Sequence, residues 1–167
     1  MVRADSPAGA RPRRVIFVCL GNICRSPAGH GIMRQLVAAQ GLDERVQVDS
    51  AGTLEHMAGT PPDPRMKAAA ARRGYHLDGR ARAFSRADFD RFDLVVAMDR
   101  SNREDLHALD PAGQYRDKVK LLSAFLPPSA PPDVPDPYHG GAEGFERVLD
   151  LIEAACPAIL HELLPER

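Results

Sequence analysis

Short apolar runs separated by polar, helix-patterned stretches set the rhythm of this chain. Val15-Ile16-Phe17-Val18 is continuous and rich in β-branched residues, the pattern of a strand buried on both faces. The segment Cys19 to Ser26 then reads as a loop. Pro27 suits a first helical turn, and Ile32, Met33, Leu36 and Val37 give the stretch after it an apolar stripe that Gly41 ends. Val46 to Ser50 reads as a second strand, and Pro64 to Arg73 as a helix closed by Gly74. Asp93 to Met98 supplies a third buried strand, followed by a helix from about Ser101 to Leu109 that stops near Pro111. Val119 to Leu122 is the fourth strand. Strands alternating with helices predict an α/β sandwich with a parallel sheet.

Residues 127 to 137 hold six of the fifteen prolines and few apolar side chains, so they predict an extended loop of restricted backbone freedom. The spacing of Phe145, Val148, Leu149, Ile152, Ile159 and Leu163 predicts a helix over 142–164, with Pro157 a kink or break. No internal repeat or linker divides the chain, so residues 14–164 are expected to form one domain, with residues 1–13 a flexible N-terminal tail.

Composition narrows the setting. At 167 residues and 44 % hydrophobic content the chain can bury a normal core without staples. Its 22 basic and 23 acidic residues leave no general charge that would recruit nucleic acid or an anionic membrane, so any anion must be held locally. The apolar run at Val15–Val18 is too short for a signal-peptide core, and nothing approaches a membrane span. Cys19, Cys24 and Cys156 are too few and too unevenly spaced for a secreted disulfide framework or a zinc site. A cytoplasmic, reducing compartment is therefore expected. No motif sets an oligomeric state, and a monomer is the default expectation.

The chemistry concentrates in Cys19-Leu20-Gly21-Asn22-Ile23-Cys24-Arg25-Ser26-Pro27, which joins a buried strand to a helix N-terminus where free N–H groups and the helix dipole favour an anion. The loop lacks the glycine and Lys-Ser/Thr pattern of a Walker loop and lacks GxGxxG, so a nucleotide cradle is not supported. It offers a thiol at one end and a guanidinium at the other. A cysteine after a buried strand is ordinarily core filler, but a helix N-terminus and a nearby arginine both favour the nucleophilic thiolate. Arg25 can hold two oxygens of a phosphoryl group in a planar fork, and Ser26 can hydrogen-bond the sulfur.

The string Val-Cys-Leu-Gly-Asn-Ile-Cys-Arg-Ser-Pro at 18 to 27 closely resembles the signature loop of the low-molecular-weight protein-tyrosine phosphatases. The resemblance continues through Asp49 to Thr53, Pro62 to Arg65, Arg80-Ala81-Arg82, Ala97 to Asn102, Asp136-Pro137-Tyr138 and Gly144 to Glu146. It implies an α/β three-layer sandwich with a four-stranded parallel sheet and helices on both faces, and hydrolysis of phosphotyrosine or small aryl phosphates through a cysteinyl-phosphate, with no metal and no cofactor. Cys19 would be the nucleophile, Arg25 the phosphate clamp and Asp136 the general acid and base, a role a phenolic leaving group requires. Leu20, Gly21, Asn22, Ile23, Cys24, Ser26, His56, Tyr138 and His139 would bind substrate, and Asn22 and Ser50 would buttress the loop. Cys24 would be packing or would trap oxidised Cys19 as a disulfide. Asp99 reads first as the cap of the helix that follows it.

The chain departs from the family pattern around the pocket. His30 stands where a Glu is usual, His56 takes the place of a pocket-wall aromatic, Gly79 replaces a His that usually joins Asn22 and Ser50, and His139 stands where a second aromatic is common. Three rivals share the loop. An arsenate reductase would need redox cysteines beyond Cys156; a protein-arginine phosphatase would carry Thr at Ile23; a phosphate-binding module without turnover would have no use for Asp136.

Overall fold

A computed structural model of the chain describes residues 11–166, so most of the expected N-terminal tail, residues 1–10, lies outside the described residues. The sheet has four parallel strands: β1 (Arg13–Cys19), β2 (Val46–Gly52), β3 (Leu94–Ala97) and β4 (Val119–Leu121), in the order β2-β1-β3-β4. Arg13 opens β1 beside Val46, and Arg11 donates to Asp93 Oδ1 at 2.9 Å.

Helices α1 (Arg25–Ala39), α2 (Pro64–Arg72) and α5 (Ala142–Leu163) cover one face; α3 (Asp88–Arg91) and α4 (Arg100–Ala108) cover the other. Alternation along β1 explains both layers. Val15 and Phe17 pack with Ile32, Met33 and Ile152 on the first side, whereas Ile16 and Val18 pack with Phe89 and Leu106 on the second. Gly41 and Gly74 end their helices with φ of 67° and 88°, conformations open to a residue without Cβ.

Helix α5 corrects one expectation: it runs unbroken through Pro157. The ring sits on the exposed face, and Ala155, Cys156, Ile159 and Leu160 on the opposite face are buried, so packing on both sides of the proline outweighs its missing N–H. The one-turn helix α3 lies in a stretch with no expected element. It is too short to show a helical period and is fixed instead by Phe89 in the core and by the fully buried Asp88, which accepts from Ser85 N at 2.8 Å.

Strands β1 and β3 lie side by side, and the connections from their ends lead to opposite faces of the sheet. Such a divergence opens a crevice at the carboxyl edge, and the loops after Cys19 and Ala97 meet there.

Candidate active site

Cys19 is the last residue of β1, opposite Gly52 of β2. The loop then turns back under itself: Asn22 takes the left-handed conformation at φ 56°, which points its side chain inward. A Cβ at Gly52 would lie 2.7 Å from the Leu20 carbonyl oxygen and 3.0 Å from the Asn22 nitrogen, so only glycine lets β2 approach this closely. The Ile23 carbonyl accepts from Asp63 N at 2.8 Å, which ties the loop to the cap of α2.

Inside the turn the polar groups form a closed set. Ser26 Oγ lies 3.0 Å from Cys19 Sγ and 3.3 Å from the Ala51 carbonyl oxygen. Asn22 Nδ2 donates to Ser26 Oγ at 2.8 Å and to Ser50 Oγ at 3.0 Å, while its Oδ1 accepts from Arg82 N at 3.0 Å. Asn22 and Ser26, expected among the substrate-binding residues, therefore turn their side chains behind the loop and away from the cavity over Cys19. The ring expected to be absent from this network, with glycine at 79, has a counterpart on α1: His30 Nδ1 comes within 3.5 Å of Ser50 Oγ.

Arg25 is 3 % exposed and held from two directions: its Nη1 donates to Asp99 Oδ2 at 2.7 Å and to the Val134 carbonyl at 3.0 Å. Burial pulls the guanidinium pKa down, but electrostatic attraction to nearby Cys19 and the Asp99 bond outweigh it, so the group stays above its ordinary value. Asp99 does cap α4, accepting from Asn102 N at 2.7 Å on Oδ1, and it gives its second oxygen to Arg25. Sequence reasoning gave it only the first task.

The proline-rich segment reaches the site by two backbone anchors. Val134 N donates to the Met98 carbonyl at 2.9 Å and the Val134 carbonyl receives Arg25, so Asp136 falls two residues beyond a fixed point. Its Oδ2 lies 3.8 Å from Arg25 Nη2, and its side chain is 48 % exposed. Tyr138 stands at the rim, 44 % exposed, with Arg65 stacked 5.4 Å from its ring centroid and His139 edge-on at 5.0 Å.

A cavity of about 270 Å³ opens over the thiol. Cys19, Leu20, Gly21, Ile23, Cys24 and Arg25 form its floor, and His56, Asp136, Tyr138 and His139 are on its wall. Leu54 and Met57 complete the wall and went unnoticed in the sequence, where two apolar residues in a loop carry no periodic signal. Cys24 is buried; that burial, with Asp63, Cys19 and Asp136 nearby, pushes its thiol up to about 12.

The fold and the site together define a class: a doubly covered parallel sheet that presents a thiol and an arginine on one strand–loop–helix turn. The family model described as low molecular weight phosphotyrosine protein phosphatase matches residues 14–167, and the chain belongs to that family. A Streptomyces coelicolor low molecular weight protein-tyrosine-phosphatase is 46 % identical over 149 residues, covering 88 % of this chain and 91 % of that protein. Among solved structures, the Entamoeba histolytica protein tyrosine phosphatase with Hepes in its active site superposes with a TM-score of 0.88 at 38 % identity, over 92 % of this chain and 98 % of that one. YfkJ from Bacillus subtilis superposes with a TM-score of 0.88 at 36 % identity, over 95 % and 99 % of the two chains.

Proposed function

We propose that the chain hydrolyses phosphotyrosine in proteins, and small aryl phosphates, through a cysteinyl-phosphate. The observation that carries this reading is the convergence on one cavity of a buried sulfur, a fixed guanidinium and a half-exposed carboxyl under an aromatic rim. The phosphoryl group sits on the loop N–H groups and Arg25. Cys19 Sγ forms the S–P bond as the P–O bond to the phenol breaks, and Asp136 gives its proton to the departing oxygen. Asp136 then takes a proton from water, whose oxygen displaces the sulfur, and Ser26 donates to the leaving thiolate. Phosphate and the free enzyme result.

The lining of the cavity favours an aryl ester. His56, Leu54 and Met57 can flank a phenyl ring between rim and thiol, and Tyr138 and Arg65 can meet the surrounding peptide. Apolar Ile23 on the floor speaks for phosphotyrosine over phosphoarginine, and Asp136 speaks against a module that binds without turnover. A thiol nucleophile has to stay reduced, which supports a cytoplasmic location; among the described residues no helix is long and apolar enough to cross a membrane. Cys24 gives Cys19 a redox partner: a Cys19 sulfenic acid and the Cys24 thiol condense to a disulfide with loss of water.

The test is hydrolysis, without added metal, of phosphotyrosine, phosphoserine and phosphoarginine forms of one peptide. Selective turnover of the first, with phosphate trapped on Cys19 by acid quench, is the expected result. Preference for the phosphoarginine form, or turnover that survives in Cys19→Ser, would overturn the reading.

A further inference from the structure

Behind the loop lies a second cavity of about 70 Å³, distinct from the one over Cys19. Asn22, His30, Asp49, Ser50, Asp78 and Arg82 are on its walls, and His30 is the only aromatic ring among its lining residues. His30 stands one helical turn after Ser26 on α1, so the two side chains share a face of that helix. Its Nδ1 reaches Ser50 Oγ at 3.5 Å, the outer edge of hydrogen-bond range.

Donor and acceptor accounting gives this contact a direction. The Arg82 N–H occupies Asn22 Oδ1, so Asn22 Nδ2 spends its two hydrogens on Ser26 and Ser50. Ser50 Oγ is thus an acceptor toward Asn22 and keeps its own hydrogen, and His30 Nδ1 is the remaining side-chain atom in contact with it. The ring accepts there, which puts its own proton on Nε2.

We infer that His30 is a positioning residue for the thiol: by taking the Ser50 hydrogen it completes a chain, His30–Ser50–Asn22–Ser26–Cys19, that aims the Ser26 hydroxyl at the sulfur. The inference rests on Cys19 being the nucleophile. The Ser26 hydroxyl has one hydrogen and two claimants, Sγ at 3.0 Å and the Ala51 carbonyl at 3.3 Å. An N–H donated into the Ser26 oxygen polarises its O–H toward the sulfur, and a Ser50 that is itself donating is a firmer anchor for that amide. Without His30, the amide loosens and Ser26 turns to the carbonyl. The surroundings suit a neutral ring: burial and Arg34 on the same helix disfavour protonation, against the pull of Asp49 on β2 and Asp78 beyond α2.

The experiment compares the parent with His30→Ala, His30→Asn, Ser50→Ala and the His30→Ala/Ser50→Ala double variant. Alkylation of Cys19 by iodoacetamide is followed by mass spectrometry at one mildly acidic pH, alongside kcat and KM for an aryl phosphate. Losing one hydrogen bond in the chain should slow alkylation and lower kcat by about three-fold to ten-fold with KM nearly unchanged. His30→Asn, whose amide oxygen can accept the same hydrogen, should recover most of both, and His30→Ala should add nothing to Ser50→Ala. Parent-like alkylation in His30→Ala, no recovery in His30→Asn, or a full-sized effect in the Ser50→Ala background would overturn the inference. Should His30→Ala not fold, His30→Asn against Ser50→Ala decides in the same way. A parent Cys19 no more reactive than Cys156 would overturn the nucleophile and this inference together, a result visible before any variant is made.

Discussion

Asp99→Asn separates two tasks that one carboxylate performs. Oδ1 caps α4 at Asn102 N and Oδ2 holds Arg25, each at 2.7 Å. Asparagine is as good a cap as aspartate, so its oxygen stays with the helix and its NH2 group turns to Arg25, a donor facing a donor. Two unit charges at this separation attract by about 6 kcal/mol at an effective dielectric of 20, before the cost of desolvating them. Arg25 is 3 % and Asp99 19 % exposed, so that cost is large, and the Val134 bond survives. The net loss is that of one charge-assisted hydrogen bond, roughly 2 kcal/mol, or about thirty-fold in kcat/KM if Arg25 must be fixed in the transition state. Asp99→Ala should lose at least as much activity and in addition about 1 kcal/mol of stability from the cap. Initial rates on an aryl phosphate and urea unfolding of both variants give the two numbers separately. Full kcat/KM in Asp99→Asn, or equal unfolding midpoints for Asn and Ala, would refute the division of labour.

Asp136→Asn should slow formation of the cysteinyl-phosphate most for aryl phosphates whose phenols have a high pKa, in single-turnover rates across a leaving-group series; an equal loss across the series would move the acid elsewhere. After peroxide, the parent should regain activity with added thiol and show a Cys19–Cys24 link by mass spectrometry, whereas Cys24→Ala should recover only in part; equal recovery would make Cys24 packing alone. Its thiol, pushed up to about 12, holds little thiolate near neutral pH, so Cys24 is not the first thiol to oxidise. His30 has a folded pKa below its unfolded one, so on acidification the unfolded chain takes the proton first. Its contribution to stability is full above the ordinary imidazole value and is lost as pH falls through that value toward the folded one; urea midpoints at neutral and mildly acidic pH should therefore diverge more in the parent than in His30→Asn. His107 shifts in the same direction, which makes the difference between parent and variant the quantity to read.

The sheet and its main helices were legible because their signals are local. A run such as Val15–Val18, buried on both faces, can hardly be anything but an inner strand, and Gly41 and Gly74 mark helix ends by the backbone they require. What sequence could not show depends on distant segments meeting. The second oxygen of Asp99 finds Arg25 across 74 positions, and His30 finds Ser50 across 20, by the packing of α1 on β2. Asp136 was found through resemblance, and its place over Arg25 follows from two Val134 backbone bonds that leave no trace in residue type. Pro157 shows the opposite limit: a strong local breaker overruled by the core on either side.

The glycine at the end of β2 also bears on when the thiol becomes dangerous. Leu20 and Asn22 take their shape against Gly52, and Ser50 of the same strand anchors Asn22, so the loop has no mould until β2 has docked beside β1. That docking is a non-local parallel pairing, the kind of contact a folding chain makes late. A nascent or locally opened molecule consequently carries Cys19 on a slack loop without its aligned hydroxyl donor, as an ordinary cysteine. The alignment of the thiol is thus a property of the finished tertiary structure, and a chain passing through half-folded states lacks it.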